Sequence, residues 1–241
     1  MRDVGAIISA LFGMVSAITG STAQAQHPLV LQKFSALNAA TPQPPDEVLL
    51  AQVKLAAQRI YPENGRCLER GVTLVAAQPA TADRYVSTEA LYNRLRNAWT
   101  VTVRHQGCDP ANVRYMVIEG LDGQMNTIRV NRGVSYAHDS LIGDTLPMVM
   151  IAADAKFSQA GVTCGGDAKA RLGVIRIEKE EAGLQAAVFG VRYSGSWSEI
   201  WPIEKCGYVI DLPVSFTADG DGGAYYRVRV SPDLRPSQIG K

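Results

Sequence analysis

The chain has 241 residues, 46% of them hydrophobic, and its 24 Lys and Arg nearly balance its 23 Asp and Glu, for a formal charge of +1. Cations so few and so scattered build no basic face for phosphates, so no nucleic-acid partner is expected. Beyond the opening segment no stretch is long and apolar enough to cross a bilayer, so no membrane span is expected.

The chain begins MRDVGAIISALFGMVSAITGSTAQAQ. Arg2 and the amino terminus precede a short apolar run from Val4 to Gly20, broken by Gly and Ser, and Ala23-Gln24-Ala25 has the small-x-small pattern of a cleavage site. Residues 1–25 therefore read as a secretory signal peptide cut near Ala25, which leaves Gln26 first and places the product in a periplasm or outside the cell. Four cysteines, Cys67, Cys108, Cys164 and Cys206, then read as two disulfides. They include no Cys-x-x-Cys, so neither a redox motif nor a zinc ribbon is supported.

Residues 26–44 form a lead-in rich in proline. Asp46 and Glu47 open VLLAQVKLAAQRI, whose apolar spacing predicts an amphipathic helix capped by Asp46 and ended by Gly65. GVTLVA (71–76) reads as a strand. ALYNRLRNAWTVTVRHQGC then runs to Cys108; its end alternates as a strand, while Ser87-Thr88-Glu89 could start a short helix instead. NVRYMVI turns through Gly120-Leu-Asp-Gly123 into NTIRV, a hairpin signal. A junction at 133–143 follows. Asp144 and Pro147 then open a second predicted helix, TLPMVMIAADAKF, stopped by Gly161. GVIRI, AAVFGVRYSGSWSEIWPIEKC and the hairpin YVIDLPVSF–Asp219-Gly-Asp-Gly-Gly223–AYYRVRV complete the same order, and the tail 232–241 reads as loose.

The two halves share more than element order. Leu55/Ile151, Cys67/Cys164, Arg94/Arg192, Trp99/Trp197, Cys108/Cys206, Asp122/Asp219 and Arg129/Arg227 recur at offsets of 96 to 98. The spacing predicts an α+β chain of two tandem repeats, 45–132 and 144–231, each a helix followed by a four-stranded antiparallel meander, the element order of cystatin-like folds. If each unit folds alone, its own cysteines pair, as Cys67–Cys108 and Cys164–Cys206.

Gly195-Ser-Trp197-Ser-Glu199-Ile-Trp201, Cys206-Gly207, Val214-Ser-Phe216 and the Asp-Gly-Asp-Gly-Gly turn resemble a pattern of secreted proteobacterial proteins of unknown function. The resemblance covers roughly the last 50 residues and implies a periplasmic family and no activity.

Signals for chemistry are sparse. No nucleophile elbow, Gly-rich phosphate loop or dinucleotide fingerprint is present. His27, His105 and His138 lack metal-ligand spacing, and the Asp219 loop lacks the later acids of a calcium loop, so no metal and no cofactor are expected. His138-Asp139 could serve as an acid–base pair, but chain neighbours do not orient each other for proton transfer, so an exposed turn is the preferred reading. Strand alternation places Trp197, Glu199 and Trp201 on one face, read as half of a core or as a candidate binding face. No catalytic residue is assigned. The expected function is a non-enzymatic periplasmic binding or envelope-accessory protein with an unknown small-molecule or protein partner. The alternative is a hydrolase or enzyme inhibitor using the cleft between the repeats.

Overall fold

A computed structural model describes residues 28–60, 71–106, 111–164, 169–181, 183–230 and 234–236. The expected signal peptide with its cut near Ala25, His27, the Gly65 stop, Cys67, Cys108 and residues 237–241 lie outside the described residues.

Helix α1 (Pro28–Ala40) lies on the surface with no buried residue. Helix α2 (Asp46–Ile60) buries Leu49, Val53, Ala56 and Ala57, one stripe at helical spacing. Strand β1 (Val72–Pro79) leads to the short helix α3 (Arg84–Leu91), then to β2 (Leu95–His105), β3 (Asn112–Gly120) and β4 (Met125–Gly133). Helix α4 (Asp139–Gln159) follows, then β5 (Arg171–Leu172), β6 (Val174–Glu180), β7 (Ser196–Lys205), β8 (Tyr208–Ala218), β9 (Ala224–Val228) and β10 (Leu234–Pro236).

Strands β1 to β4 pair antiparallel in chain order, as do β6 to β9. A parallel seam of Arg132–Gly133 against Val174–Ile175 joins β4 to β6, so one mostly antiparallel sheet of ten strands runs through the molecule. The seam depends on Gly133. Its φ is +89°, and a Cβ there would stand 2.0 Å from the Ile175 carbonyl oxygen. Only a residue without a side chain lets the two backbones approach so closely.

Helix α2 packs against β1–β3 over Leu49, Val53, Trp99, Val101, Val103 and Tyr115. Helix α4 packs against β7 and β8 over Leu141, Val149, Phe157, Trp197, Trp201 and Phe216. Every fourth residue of α4 from Leu141 to Phe157 is buried. One disulfide, Cys164–Cys206, ties the segment after α4 to the β7–β8 turn.

Several boundaries differ from the expectations. The second helix begins at Asp139, capped by His138, so the predicted junction 133–143 is largely helix and Pro147 sits inside it. Proline removes the hydrogen bond to the carbonyl four residues back, here Gly143, but both residues face solvent, where water satisfies the carbonyl. The run before Trp99 holds helix α3, capped by the Asp83 carboxylate, which accepts from the Tyr85 and Val86 amides at 2.9 and 3.2 Å. The corresponding run before Trp197 has instead a tight turn at Phe189-Gly190, both with positive φ. Within the expected loose tail, Leu234–Pro236 pairs with Tyr208–Ile210 as β10, and Arg235 joins Arg176 on the Asp211 carboxylate.

Candidate functional site

Trp197, Glu199 and Trp201 do share a face, as alternation requires, but it is the inner one. Their exposures are 1%, 0% and 0%, so they form part of the core and no surface face. The candidate binding face is therefore absent at these residues. Its carboxylate is instead enclosed in a cradle of donors. Glu199 Oε1 accepts from the Tyr136 amide at 2.7 Å, the Ala137 amide at 3.2 Å and Trp197 Nε1 at 2.9 Å. Oε2 accepts from Trp201 Nε1 at 2.8 Å and Ser135 Oγ at 2.8 Å. Burying a carboxylate is costly unless its oxygens are hydrogen-bonded, and here five donors meet that need. The carboxylate thereby ties β7 to the segment between β4 and α4. Arg114 on β3 grips the same segment from its carbonyl side, donating to Ala137 O at 2.8 Å and to Ser135 O.

Trp99 lies on β2 and Trp197 on β7, each the second strand of its run of four, and both are fully buried. Its neighbours two and four residues on are Val101 and Val103. With no carboxylate there, the buried Trp99 Nε1 has no hydrogen-bond partner among the described residues.

His138 and Asp139, adjacent in the chain, point to different partners. The Asp139 carboxylate, 6% exposed, lies 3.5 Å from the Arg114 guanidinium and accepts from Thr100 Oγ1 at 3.2 Å. Burial pushes its carboxyl up to about 6; Arg114 pulls it down, and the nearby Asp83 charge pushes it further up. His138 instead meets Asp83, from the loop before α3. Nδ1 is 3.1 Å from Asp83 Oδ2, and Nε2 is 2.8 Å from the Gly222 carbonyl in the β8–β9 turn. Asp83 also accepts from the Ser140 amide at 2.9 Å and from Ser140 Oγ. Burial works to raise the Asp83 carboxyl, but the bond and charge of His138 with the Ser140 bonds outweigh it and hold it below the ordinary carboxylate value.

This trio contains the residue types of a nucleophilic triad without its order. In a triad, histidine bonds the hydroxyl with one nitrogen and the carboxylate with the other. Here Ser140 bonds Asp83 directly, and the second ring nitrogen is taken by a backbone carbonyl. The arrangement joins the α3 loop, the start of α4 and the β8–β9 turn. His105, the other described histidine, is buried against Tyr115 Oη at 3.0 Å. Among the described residues no group of three His, Cys, Asp or Glu is placed to hold a metal. The Asp219 carboxylate accepts from the Asp221 and Gly223 amides and shapes the β8–β9 turn.

The opposite face of β6–β9 presents an open groove of about 850 Å³. Register builds its floor: Lys179, Ser198, Ser215 and Arg227 stand in one cross-strand row, with Ser196, Thr217 and Tyr225 in the next. Ser196 Oγ and Thr217 Oγ1 are 3.0 Å apart. Lys179 pairs with Glu181 at 2.8 Å and Arg229 with Glu178 at 3.6 Å. The Arg227 guanidinium has no ion pair or side-chain hydrogen bond among the described residues, and it is exposed.

Asp83, Arg114, Ser135 and the hydroxyl rows did not stand out in the sequence. Asp83 had one local signal, a helix cap before Arg84-Tyr-Val-Ser; the others become neighbours only through strand register. No known protein family, curated protein or solved structure matches the chain. No helix among the described residues is long and apolar enough to cross a membrane.

Proposed function

We propose that this chain is a non-enzymatic binding or envelope-accessory protein, exported by cleavage near Ala25, that takes an acidic saccharide in the groove on the outer face of β6–β9. The Arg227 guanidinium, unpaired among the described residues, at the end of one row of hydroxyls and beside a second, carries this reading. A guanidinium recognises a carboxylate through paired N–H donors, serine and threonine hydroxyls match sugar hydroxyls, and an exposed ring such as Tyr225 offers a stacking surface. The volume falls in the range of small-molecule sites. Titrating digalacturonate into ¹⁵N-labelled protein tests the reading. Shifts should gather at Ser196, Ser198, Ser215, Thr217 and Arg227, and lactose, which has no carboxylate, should produce none. Shifts elsewhere, or equal shifts with lactose, overturn it.

The alternative, a hydrolase or inhibitor working between the halves, finds less support. The side chains of His138, Asp83 and Asp139 are buried and committed to partners.

We also infer that the halves descend from one duplicated unit of a helix and a four-stranded meander, the cystatin-like element order, with a second bridge between Cys67 and Cys108. Support comes from the common offsets of 96 to 98, from in-order pairing of β1–β4 and β6–β9, and from a buried tryptophan, Trp99 or Trp197, on the second strand of each run. Non-reducing peptide mapping tests the pairing; a Cys67–Cys206 or Cys108–Cys164 bond refutes independent units.

A further inference from the structure

Both ring nitrogens of His138 face acceptors. Nε2 meets the Gly222 carbonyl at 2.8 Å, and a carbonyl can only accept. Nδ1 meets the Asp83 carboxylate at 3.1 Å, held below the ordinary carboxylate value and so ionised at neutral pH. The Leu141 amide also approaches Nδ1, at 3.3 Å, but a contact at that length to a neutral ring is weaker than a charge-assisted bond to a carboxylate. The form that satisfies both short contacts is the doubly protonated imidazolium.

We propose that His138 is a proton-operated clamp: its imidazolium holds the β8–β9 turn down, and loss of one proton releases that turn and with it the strand that carries Tyr225 and Arg227. The effect on ligand affinity rests on the groove being the binding site; the clamp itself does not.

Which contact breaks follows from the strengths. A neutral imidazole keeps one proton. On Nε2, it would leave a lone pair 3.1 Å from an anionic carboxylate, offset only by the long cap contact from the Leu141 amide at 3.3 Å. On Nδ1, it leaves a lone pair 2.8 Å from a neutral carbonyl. The second repulsion is the smaller and the Nδ1–H bond to Asp83 is the stronger, so the proton stays on Nδ1 and the Gly222 bond is lost. The other groups around the ring do not replace it. Asp83 from the α3 loop is saturated by Ser140, Tyr85 and Val86. Asp139 beside the ring is turned to Arg114 of β3 and Thr100 of β2. The Asp219 carboxylate of the β8–β9 hairpin is engaged with its own turn, and the Tyr193 ring, from the segment before β7, lies against Gly222. Gly222 itself is buried with a φ of +96°, so the turn has little freedom to bring up another donor.

Hydrogen exchange of the unliganded protein tests the clamp. The Asp221 and Gly223 amides donate inside the turn, so their protection reports its closure. Corrected for intrinsic exchange, their protection factors should fall about tenfold as pH rises through the titration of His138, followed in the same samples by its ring carbon resonances. Amides of β7 should stay unchanged. His138→Asn keeps a donor toward Asp83 and lacks the atom that reaches Gly222; it should show low, pH-independent protection in the turn. Protection that does not change while His138 titrates overturns the clamp, as does a His138→Asn protein whose turn still tightens on acidification. Because no ligand is present, either result leaves the groove reading standing; failure of saccharide binding with an intact turn response removes the groove reading alone.

Discussion

Replacing Glu199 by Gln changes one oxygen for an NH₂ group and nothing else in shape. Five donors converge on that carboxylate: the Tyr136 and Ala137 amides, Ser135 Oγ and the two indole nitrogens. Glutamine does least damage if its oxygen takes the place of Oε1, which serves three of them. Its amide nitrogen then faces Ser135 Oγ, which can rotate to accept, and Trp201 Nε1, which cannot. One buried indole N–H is orphaned against another donor, at about 1–3 kcal/mol, and the bonds that remain lose their charge assistance. Relief of a buried charge opposes this, but the donors are fixed by β7 and by the Arg114-held segment and stay aimed at the site. A net loss of about 2 kcal/mol is expected. Urea unfolding followed by tryptophan fluorescence measures it, and the Trp201 indole proton should move upfield and exchange faster. A Glu199→Gln protein as stable as the parent, with both indole protons unmoved, refutes the cradle.

Gly133→Ala should open the β4–β6 seam, because the added methyl group meets the Ile175 backbone in a conformation alanine rarely adopts; a loss of about 3 kcal/mol or more is expected in the same unfolding assay. Asp139 gives a pH signature. Its folded carboxyl, raised from 3.8 to about 6, binds its proton more tightly than the unfolded chain does, so ionisation costs stability. That cost is absent well below pH 3.8, grows as pH rises and is complete above about pH 6, so the parent should gain about 2 kcal/mol on Asp139→Asn between pH 7 and pH 4. Cys164→Ser with Cys206→Ser removes a bridge across 42 positions, worth about 4 kcal/mol in the chain-entropy model, and should lower the urea midpoint without changing the far-ultraviolet spectrum of the folded protein.

Local features were legible where the cause was local. Asp46 and Glu47 mark the start of α2, and Asp-Gly turns mark both hairpins, because capping and positive φ act within a few residues. The Cys164–Cys206 bridge follows the shared spacing of the two halves, and Trp197 takes the core side of the two readings that strand alternation leaves open. The sequence places the start of α4 at Asp144 with Pro147 in its first turn, five residues late, because an interior proline is tolerated here where it and the residue four back face water, which a one-dimensional pattern does not reveal. The α3 helix was visible only as an option at Ser87-Thr88-Glu89, whereas its cap is Asp83. The site was less legible than the fold. Asp83 lies 55 positions from His138, and Arg227 meets Ser198 through Ser215 only once the register is known. Tertiary pairing, rather than chain proximity, decides which side chains share a face.

Calorimetric titration of digalacturonate into the parent protein and into Arg227→Ala at one pH tests the central claim most directly. Arg227 is exposed and outside both cores, so its removal leaves the fold intact. The groove reading predicts measurable binding to the parent and at least a tenfold loss of affinity in the variant, the scale of one lost charge-assisted bond. Equal affinity in the two proteins, or no heat with either, contradicts it.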